Sequence, residues 1–209
     1  MNKNEILTIL EDWNFWKKEL DTGVRRDFYL QKFEDLASTK HIVVVTGARR
    51  SGKSYLLRQF AKKLISQGVP KTNILMINFE DPRFVGLDTE LLQKIYEVYL
   101  EVLNPQDKPY IFLDEIQEVK DWEKWVRSMH ELNKAKIIIS GSNAKLLSRE
   151  FSTLLTGRHV DLTVFPLSFR EFLHFKNLAV EDELDLVNKR IEVKTLLNEY
   201  LEFGSFPEV

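Results

Sequence analysis

A glycine-rich basic segment follows an apolar, β-branched run early in the chain. The run Ile42–Val45 precedes the sequence GARRSGKS of residues 47–54. Glycines let a backbone wrap closely around an anion, and the N–H groups of such a loop and of the helix after it attract negative charge. Lys53 can then reach phosphate oxygens, while the hydroxyl of Ser54 ligates Mg²⁺. The segment therefore predicts a loop that binds nucleotide phosphates.

The segment fits the pattern G-x-x-x-x-G-K-[ST] at every fixed position. A basic surface turn that matches by chance is the alternative, and the apolar strand before the motif and the helix after it argue against that alternative. The pattern does not require Arg49 or Arg50, which lie either near the nucleotide or in solvent. We expect these residues to bind the nucleotide: Gly47, Ala48, Arg49, Arg50, Ser51, Gly52, Lys53, Ser54 and Tyr55.

A later apolar segment ends in two carboxylates. The run Tyr110–Leu113 is followed directly by Asp114 and Glu115. An acid at a strand end can complete the coordination of Mg²⁺, and a carboxylate beside it can take a proton from an attacking water. We predict Asp114 and Ser54 as metal ligands, and Glu115 and Lys53 as catalytic residues. The alternative is a strand that simply ends in an acidic turn.

The fourth predicted strand ends in the small polar sequence SGSN, residues 140–143. A polar side chain there could hold the attacking water or the γ-phosphate. Asn143 is our candidate, although spacing alone does not separate it from Ser140 or Ser142, and a helix cap is an equal alternative.

Two other polar residues could act on the same chemistry. Arg158, in the sequence TGR before the fifth predicted strand, could reach the γ-phosphate of a neighbouring subunit as an arginine finger. The alternative is a surface arginine after a helix-ending glycine. Asn78, at the end of the second predicted strand, could hold Glu115 inactive until a ligand binds.

Strand-like and helix-like segments alternate through the middle of the chain. Predicted strands cover residues 42–46, 74–79, 110–113, 136–140 and 160–164, and predicted helices cover 54–67, 91–103, 122–132 and 145–155. This order predicts an α/β fold with a parallel sheet and helices on both faces. The first 40 residues read as helical with a break at 21–23. Helices are also expected over 168–175 and 191–203, with an acidic exposed stretch at 180–188.

Composition narrows the possible classes of protein. The 209 residues carry a net charge of −2 and no cysteine. Disulfides and thiolate chemistry are thereby excluded, and there is no global attraction to nucleic acid or anionic membrane. The N-terminus lacks the apolar stretch of a signal peptide, and no apolar run approaches the length of a membrane helix. We expect a cytoplasmic protein that does not bind membranes.

Several segments together resemble one family. GARRSGKS, INFED, YIFLDEIQEV, IIISGSN and LLTGRHVDLTVFPLSFREF, in this order, are similar to the AAA+-type P-loop ATPases of bacteria and archaea known simply as ATP-binding proteins. The likeness covers roughly residues 10–209, and the segment with TGR and FPLSFREF is its more specific part. It implies a five-stranded parallel P-loop sheet in which the fourth strand separates the phosphate-loop strand from the Asp114 strand. It also implies ATP rather than GTP, which agrees with the missing guanine-specificity sequence.

The resemblance also suggests a domain organisation. We expect a helical lead-in at 1–36, a P-loop ATPase core at 37–167, and at 168–209 a helical lid or the start of a further domain. Members of this family continue past the sequence FGSFPEV, so the chain looks like part of a longer protein.

Two classes of function remain. The first is an Mg²⁺-dependent ATPase that drives a conformational change on an unknown protein or nucleic-acid client, with a homo-oligomer as its candidate assembly. The second is a nucleotide-gated binding module with little turnover. The Asp114–Glu115 pair favours the first, and it disfavours a small-molecule kinase because Glu115 suits water activation better than it suits a substrate hydroxyl.

Overall fold

The computed structural model describes residues 1–142 and 157–207. In these residues, five parallel strands form one sheet with helices on both faces. The strands are β1 (Ile42–Gly47), β2 (Ile74–Asn78), β3 (Tyr110–Asp114), β4 (Lys136–Ser142) and β5 (His159–Val164). The helices are α1 (Lys3–Trp13), α2 (Asp27–Ala37), α3 (Lys53–Ser66), α4 (Thr89–Leu103), α5 (Trp122–Glu131), α6 (Phe169–Phe175), α7 (Glu183–Asn188) and α8 (Arg190–Phe203).

The strand order positions the candidate residues. The sheet runs β2-β3-β4-β1-β5, so β4 lies between the phosphate-loop strand and the Asp114 strand, which confirms the expected topology. Val44 of β1 pairs with Ile139 of β4, and Leu113 of β3 pairs with the same residue from the other side. Because parallel strands end at the same edge of a sheet, Gly47 and Asp114 both lie at that edge.

Strand β1 is buried on both faces, as its continuous apolar run predicts. Val44 packs into an apolar cluster with side chains of α1, α4 and α5. Val43 and Val45 point to the other face and pack with side chains of α2 and α3. The phosphate loop therefore follows a strand that is fixed from both sides, and a fixed strand end holds the loop in place.

The N-terminal lead-in differs from the sequence-based prediction. Helix α1 ends at Trp13, whereas the apolar pattern extended the helix toward residue 20. The buried side chain of Asn14 instead bonds the backbone of edge strand β2, accepting from the N–H of Met76 at 2.7 Å and donating to its carbonyl at 2.8 Å. Trp16 donates from its indole N–H to the carbonyl of Ile74 at 2.8 Å. Because α1 ends at Trp13, Asn14 and Trp16 can cover the open edge of the sheet at β2.

The C-terminal part is helical and largely exposed. Ser168 and Glu171 form a reciprocal cap at the start of α6. Helix α7 forms within the acidic stretch expected to be exposed, and neither α7 nor α8 has a fully buried residue. The predicted helix over 145–155 lies outside the described residues. Among the helices that the structure describes, none has the length and apolarity needed to cross a membrane.

Candidate nucleotide-binding site

The phosphate loop connects β1 to α3 and requires glycine at both fixed positions. A Cβ on Gly47 would lie 2.3 Å from the carbonyl oxygen of Val164 in β5. Gly52 caps α3 with φ of 92°, a left-handed conformation that glycine adopts without strain. No side chain of the described residues caps the first turn of α3. The N–H groups of that turn therefore remain available to an anion.

Lys53 is buried beneath the loop, with 4% of its side chain exposed. Its Nζ donates to the carbonyl oxygens of Gly47 and Ala48, both at 3.2 Å. The same Nζ lies 3.7 Å from Oε1 of Glu115. A buried ammonium needs such partners because its desolvation is costly. Lys53 therefore lies between the loop and the carboxylate that sequence reasoning assigned to water activation.

Asp114 lies at the end of β3, directly behind Ser54. Burial raises the pKa of the Asp114 carboxyl, while hydrogen bonds from the Ser140 and Ser54 side chains act in the opposite direction. Ser140 donates to Oδ1 of Asp114. Ser140, one of the three sensor candidates, is thus a partner of the predicted metal ligand. Asn143 lies outside the described residues.

Glu115 has an unusual backbone and, besides Lys53, two side chains within hydrogen-bonding distance. Its φ of 52° and ψ of 45° are left-handed, a conformation that costs a non-glycine residue about 1–3 kcal/mol. Oε2 accepts a hydrogen bond from Nε2 of Gln117 at 2.5 Å, and the backbone N–H donates to Oγ of Ser140 at 3.3 Å. The strained backbone directs the carboxylate toward Lys53 and into the cavity.

The prediction that Asn78 holds Glu115 is wrong for this structure. Oδ1 of Asn78 accepts from the backbone N–H of Glu80 at 2.9 Å and so stabilises the turn after β2. The side chain that bonds Glu115 is Gln117, in the short 3-10 turn Ile116–Glu118. Sequence reasoning missed Gln117 because only the left-handed Glu115 brings the two side chains together. Its position two residues after the acidic pair was the one available signal.

Some of these groups, but not Asp114, border a cavity of about 490 Å³, a size typical of ligand pockets. The predicted residues Lys53, Ser54 and Glu115 share it. The full lining comprises Arg49, Arg50, Gly52, Lys53, Ser54, Tyr55, Glu80, Glu115, Gln117, Glu118 and Pro207. Six lining residues come from the predicted loop and helix start. Glu80, Gln117, Glu118 and Pro207 were not predicted. Glu80 and Pro207 are distant in sequence from the motifs, and Gln117 and Glu118 lie in the short turn that follows Glu115.

The remaining loop residues take different places. Arg49 is mostly exposed, and its Nη2 lies 3.6 Å from Oε1 of Glu80 across the cavity mouth. Gly47 and Ala48 contribute the carbonyls that hold Lys53. Ser51 is fully buried, and its Oγ has no hydrogen-bond partner among the described residues.

The residues fit a magnesium–nucleotide complex. The Ser54 hydroxyl lies close enough to Asp114 to oppose the rise in the pKa of its carboxyl, so two oxygen ligands lie near each other next to the loop. In the described part of the chain, no group of three or more histidine, cysteine, aspartate or glutamate side chains could hold a metal alone. Mg²⁺ is commonly held by one or two protein oxygens together with substrate phosphates and waters, which matches this sparse donor set.

Arg158 lies far from this cavity within its own chain. Its carbonyl accepts a hydrogen bond from the N–H of Ile42, the first residue of β1. The phosphate loop begins at the other end of β1, about 16 Å away at the usual rise per strand residue. The Arg158 guanidinium lies 3.1 Å from Oε1 of Glu131 at the surface. Any role on a nucleotide would therefore involve a neighbouring copy of the chain.

Comparisons with known proteins agree with this geometry. The family model described as "AAA domain" matches residues 39–173, more than half of the chain. An uncharacterized protein of Haemophilus influenzae is 41% identical over 187 residues, which cover 89% of this chain and 44% of that protein. An uncharacterized protein of Methanocaldococcus jannaschii is 38% identical over 168 residues, which cover 80% of this chain and 36% of that protein. The chain thus spans less than half the length of these relatives.

Solved structures with low sequence identity share the fold. S. cerevisiae Hsp104, in an extended complex with casein, superposes with a TM-score of 0.61 at 13% identity, covering 98% of this chain and 38% of that one. The Walker-type ATPase PABY2304 of Pyrococcus abyssi superposes with a TM-score of 0.55 at 15% identity. The match covers 88% of this chain and 64% of that one. The family match, the P-loop and the sheet order lead to one conclusion: this chain belongs to the AAA-type family of P-loop ATPases.

Proposed function

We propose that the chain binds ATP with Mg²⁺ and hydrolyses it, and that the nucleotide state changes the conformation presented to a partner. One observation carries the proposal. Lys53 and Ser54 at the start of α3 and the acidic pair Asp114–Glu115 at the end of β3 converge at the phosphate loop, in the arrangement that phosphoryl transfer to water needs.

ATP binding would change the partners of Lys53. In the free protein, its ammonium is balanced by two loop carbonyls and by Glu115. The β- and γ-phosphates carry more negative charge than these partners and would attract the ammonium away from them. N–H groups of the loop and of the first turn of α3 would bind the same phosphates. Binding would thereby release Oε1 of Glu115 from its ion pair.

Glu115 would then act as the general base. Its carboxylate accepts a proton from a water molecule while the water oxygen forms a bond to the γ-phosphorus. The bond from that phosphorus to the β–γ bridging oxygen breaks, and its electrons leave with ADP. Gln117 keeps the carboxylate oriented through Oε2, which leaves Oε1 to receive the proton.

Ser54 and Asp114 would hold Mg²⁺, which supplies positive charge to the phosphate oxygens when it is bound. In the structure, the Ser54 hydroxyl lies near the Asp114 carboxylate, and the Ser140 hydroxyl donates to Oδ1 of the same carboxylate. Ser140 thus limits the rotation of the Asp114 carboxylate.

A second copy of the chain would complete the site. Arg158 is 35% exposed and too distant from its own cavity, so an arginine finger would have to act between subunits. The conformational change would act on a protein or nucleic-acid client. We also propose that the protein is cytoplasmic.

Turnover of the wild type and of Glu115→Gln tests the proposal. Glu115→Gln retains the size of the side chain and its contact with Gln117 but cannot accept a proton. We expect ATP affinity within a few-fold of wild type and turnover lower by about 10²–10⁴-fold. Asp121→Asn, at an exposed acid in the following turn, is the matched control and should turn over normally. Equal loss of binding and turnover in Glu115→Gln would mean that Glu115 is structural.

A nucleotide-gated binding module with little turnover is the second candidate. The contacts of Glu115 favour it, because both carboxylate oxygens already have partners in the free protein. If wild-type turnover equals that of Glu115→Gln while ATP still binds, the module is a switch. Turnover well above that of Glu115→Gln excludes the switch.

A further inference from the structure

Arg26 is a buried arginine, 3% exposed, that precedes α2 in the lead-in. Its guanidinium donates four hydrogen bonds to three separate parts of the chain. Nη1 donates to the carbonyl of Ser51 at 3.0 Å, and Nη2 to the carbonyl of Phe165 at 3.0 Å. Nε and Nη2 donate to the two carboxylate oxygens of Glu171 at 2.8 and 3.1 Å. The group also stacks over the ring of Tyr29, 4.3 Å from its centroid.

The contact with Ser51 acts on the phosphate loop itself. The Ser51 carbonyl and the Gly52 N–H belong to the same peptide group, and Gly52 lines the nucleotide cavity. A guanidinium on the carbonyl fixes the plane of this peptide. It also polarises the peptide, which makes the N–H a stronger donor toward an anion. Arg26 can therefore strengthen phosphate binding without touching the phosphate.

The contact with Glu171 acts on the C-terminal region. Glu171 forms the cap of α6 with Ser168, whose backbone N–H donates to Oε2 of Glu171 at 2.9 Å. The same carboxylate therefore binds both Arg26 and the first turn of α6. Phe165, the third partner, directly follows β5 and leads into this helix. One guanidinium thus connects the phosphate loop to the start of α6.

The backbone of Arg26 is fixed as well. Its N–H donates to Oε1 of Gln59 at 3.1 Å, and Gln59 lies in α3, the helix that follows the phosphate loop. Nε2 of Gln59 donates to the carbonyls of Thr22 and Val24, both at 2.8 Å. The lead-in is therefore attached to α3, and a displacement of α3 or of the phosphate loop would also displace Arg26.

We propose that Arg26 is a positioning residue that orients the Ser51–Gly52 peptide for phosphate binding and links nucleotide occupancy to α6 through Glu171. This inference rests on the proposed ATP binding and names the route by which the nucleotide state reaches the C-terminal helices. Because coupling between two sites is reciprocal, loosening α6 must weaken nucleotide binding to the same degree that nucleotide binding orders α6.

Titration with Mg²⁺ and the β,γ-imido analogue of ATP tests the effect on the loop. Arg26→Met removes the guanidinium while retaining much of its aliphatic length. We expect affinity about 10- to 100-fold weaker, the range for losing a hydrogen bond from a charged donor. Arg25→Met is the matched control, because neighbouring Arg25 is exposed and, in the part of the chain that the structure describes, forms its ion pair with Asp27 at the surface. Its affinity should stay within twofold of wild type.

Hydrogen exchange of the amides of residues 168–175 tests the link to α6, a readout that a purely structural role would not move. In wild type, the bound analogue should slow exchange in α6. In Glu171→Gln, which leaves the Arg26–Ser51 bond intact, this slowing should be lost while affinity falls less than in Arg26→Met. Circular dichroism identifies variants that do not fold. If Arg26→Met does not fold, analogue titration and hydrogen exchange of Arg26→Lys and Glu171→Gln test the role of Arg26 instead.

The results separate this inference from the proposed function. A wild-type protein that binds no ATP analogue refutes the proposed function and this inference with it. Normal wild-type binding together with a folded Arg26→Met of wild-type affinity refutes only the role of Arg26 on the loop. Unchanged slowing of α6 exchange in Glu171→Gln refutes the link to the helix.

Discussion

Replacing Asp114 by asparagine should stabilise the free protein while it removes Mg²⁺-dependent ATP binding. The Asp114 side chain is 8% exposed, and the pKa of its carboxyl is raised mainly by burial, with a further contribution from the nearby Glu115 carboxylate. The negative charge is therefore unfavourable until a metal balances it. Asparagine retains the shape and one acceptor oxygen but carries no charge.

The expected gain follows from two opposing contributions. Removing one buried charge recovers several kcal/mol, about 4 as a working value. The hydrogen bonds from Ser140 and Ser54 lose their charged acceptor, which costs about 1–1.5 kcal/mol each. The free energy of unfolding should therefore rise by about 1–2 kcal/mol. For a chain of this size, that gain raises Tm by about 2–8 °C.

The gain should depend on pH in a defined direction. Because the folded-state pKa of Asp114 is raised above its unfolded value, the folded protein takes up a proton as pH falls through that pKa. The wild-type carboxyl then loses its charge, and the penalty that asparagine relieves disappears. The Tm difference between Asp114→Asn and wild type should be largest at neutral and higher pH and should shrink as pH falls.

Thermal unfolding in EDTA without nucleotide, from pH 8 to pH 5, measures this difference. Asp107→Asn, at an exposed loop position, is the matched control and should leave Tm unchanged. With Mg²⁺ and ATP added, Tm of the wild type should rise and Tm of Asp114→Asn should not. An Asp114→Asn protein less stable than wild type at pH 8 would refute the reasoning, because it would show that the hydrogen bonds outweigh the buried charge.

Two further substitutions test the loop and the subunit contact. Gly47→Ala should cost about 1–3 kcal/mol of stability in urea unfolding and weaken ATP binding, because the added Cβ would meet the carbonyl of Val164. Gly68→Ala is the control, since Gly68 has a left-handed backbone but open space around it. This substitution should cost about 1 kcal/mol of stability and leave ATP binding unchanged. Arg158→Ala should lower turnover about 10³-fold only at concentrations where subunits associate. Arg127→Ala, at another arginine paired with Glu131, should turn over normally, and a concentration-independent wild-type rate would remove the finger role.

Local sequence patterns predicted the sheet and the phosphate loop well. The run Ile42–Val45 is buried on both faces because it lies in the interior of a parallel sheet, and a continuous apolar run is the direct sign of that environment. The loop depends on glycines at fixed spacing, which are also a local pattern. The predicted boundaries of β1 and α3 differ from the observed ones by one residue.

Contacts between distant residues escaped prediction. Arg26 meets Ser51 and Glu171 across 25 and 145 residues, and a lone arginine in a lead-in carries no pattern that indicates them. The end of α1 was misplaced because Asn14 bonds β2, a contact that helical periodicity does not encode. The role given to Asn78 was wrong because the left-handed backbone of Glu115 brings Gln117 into contact instead.

Calorimetric titration of Mg²⁺-ATP into wild type and Lys53→Ala tests the central claim, that this cavity binds ATP phosphates. Lys53 is buried at the loop, and its ammonium is the cation best placed to exchange its present partners for phosphate oxygens. Wild type should bind one ATP per chain, and Lys53→Ala should bind at least about 100-fold more weakly, the loss expected for a charge-assisted contact to phosphate. Lys62→Ala, an exposed lysine of the same helix, controls for loss of charge and should bind normally. Equal affinity of wild type and a folded Lys53→Ala would contradict the account.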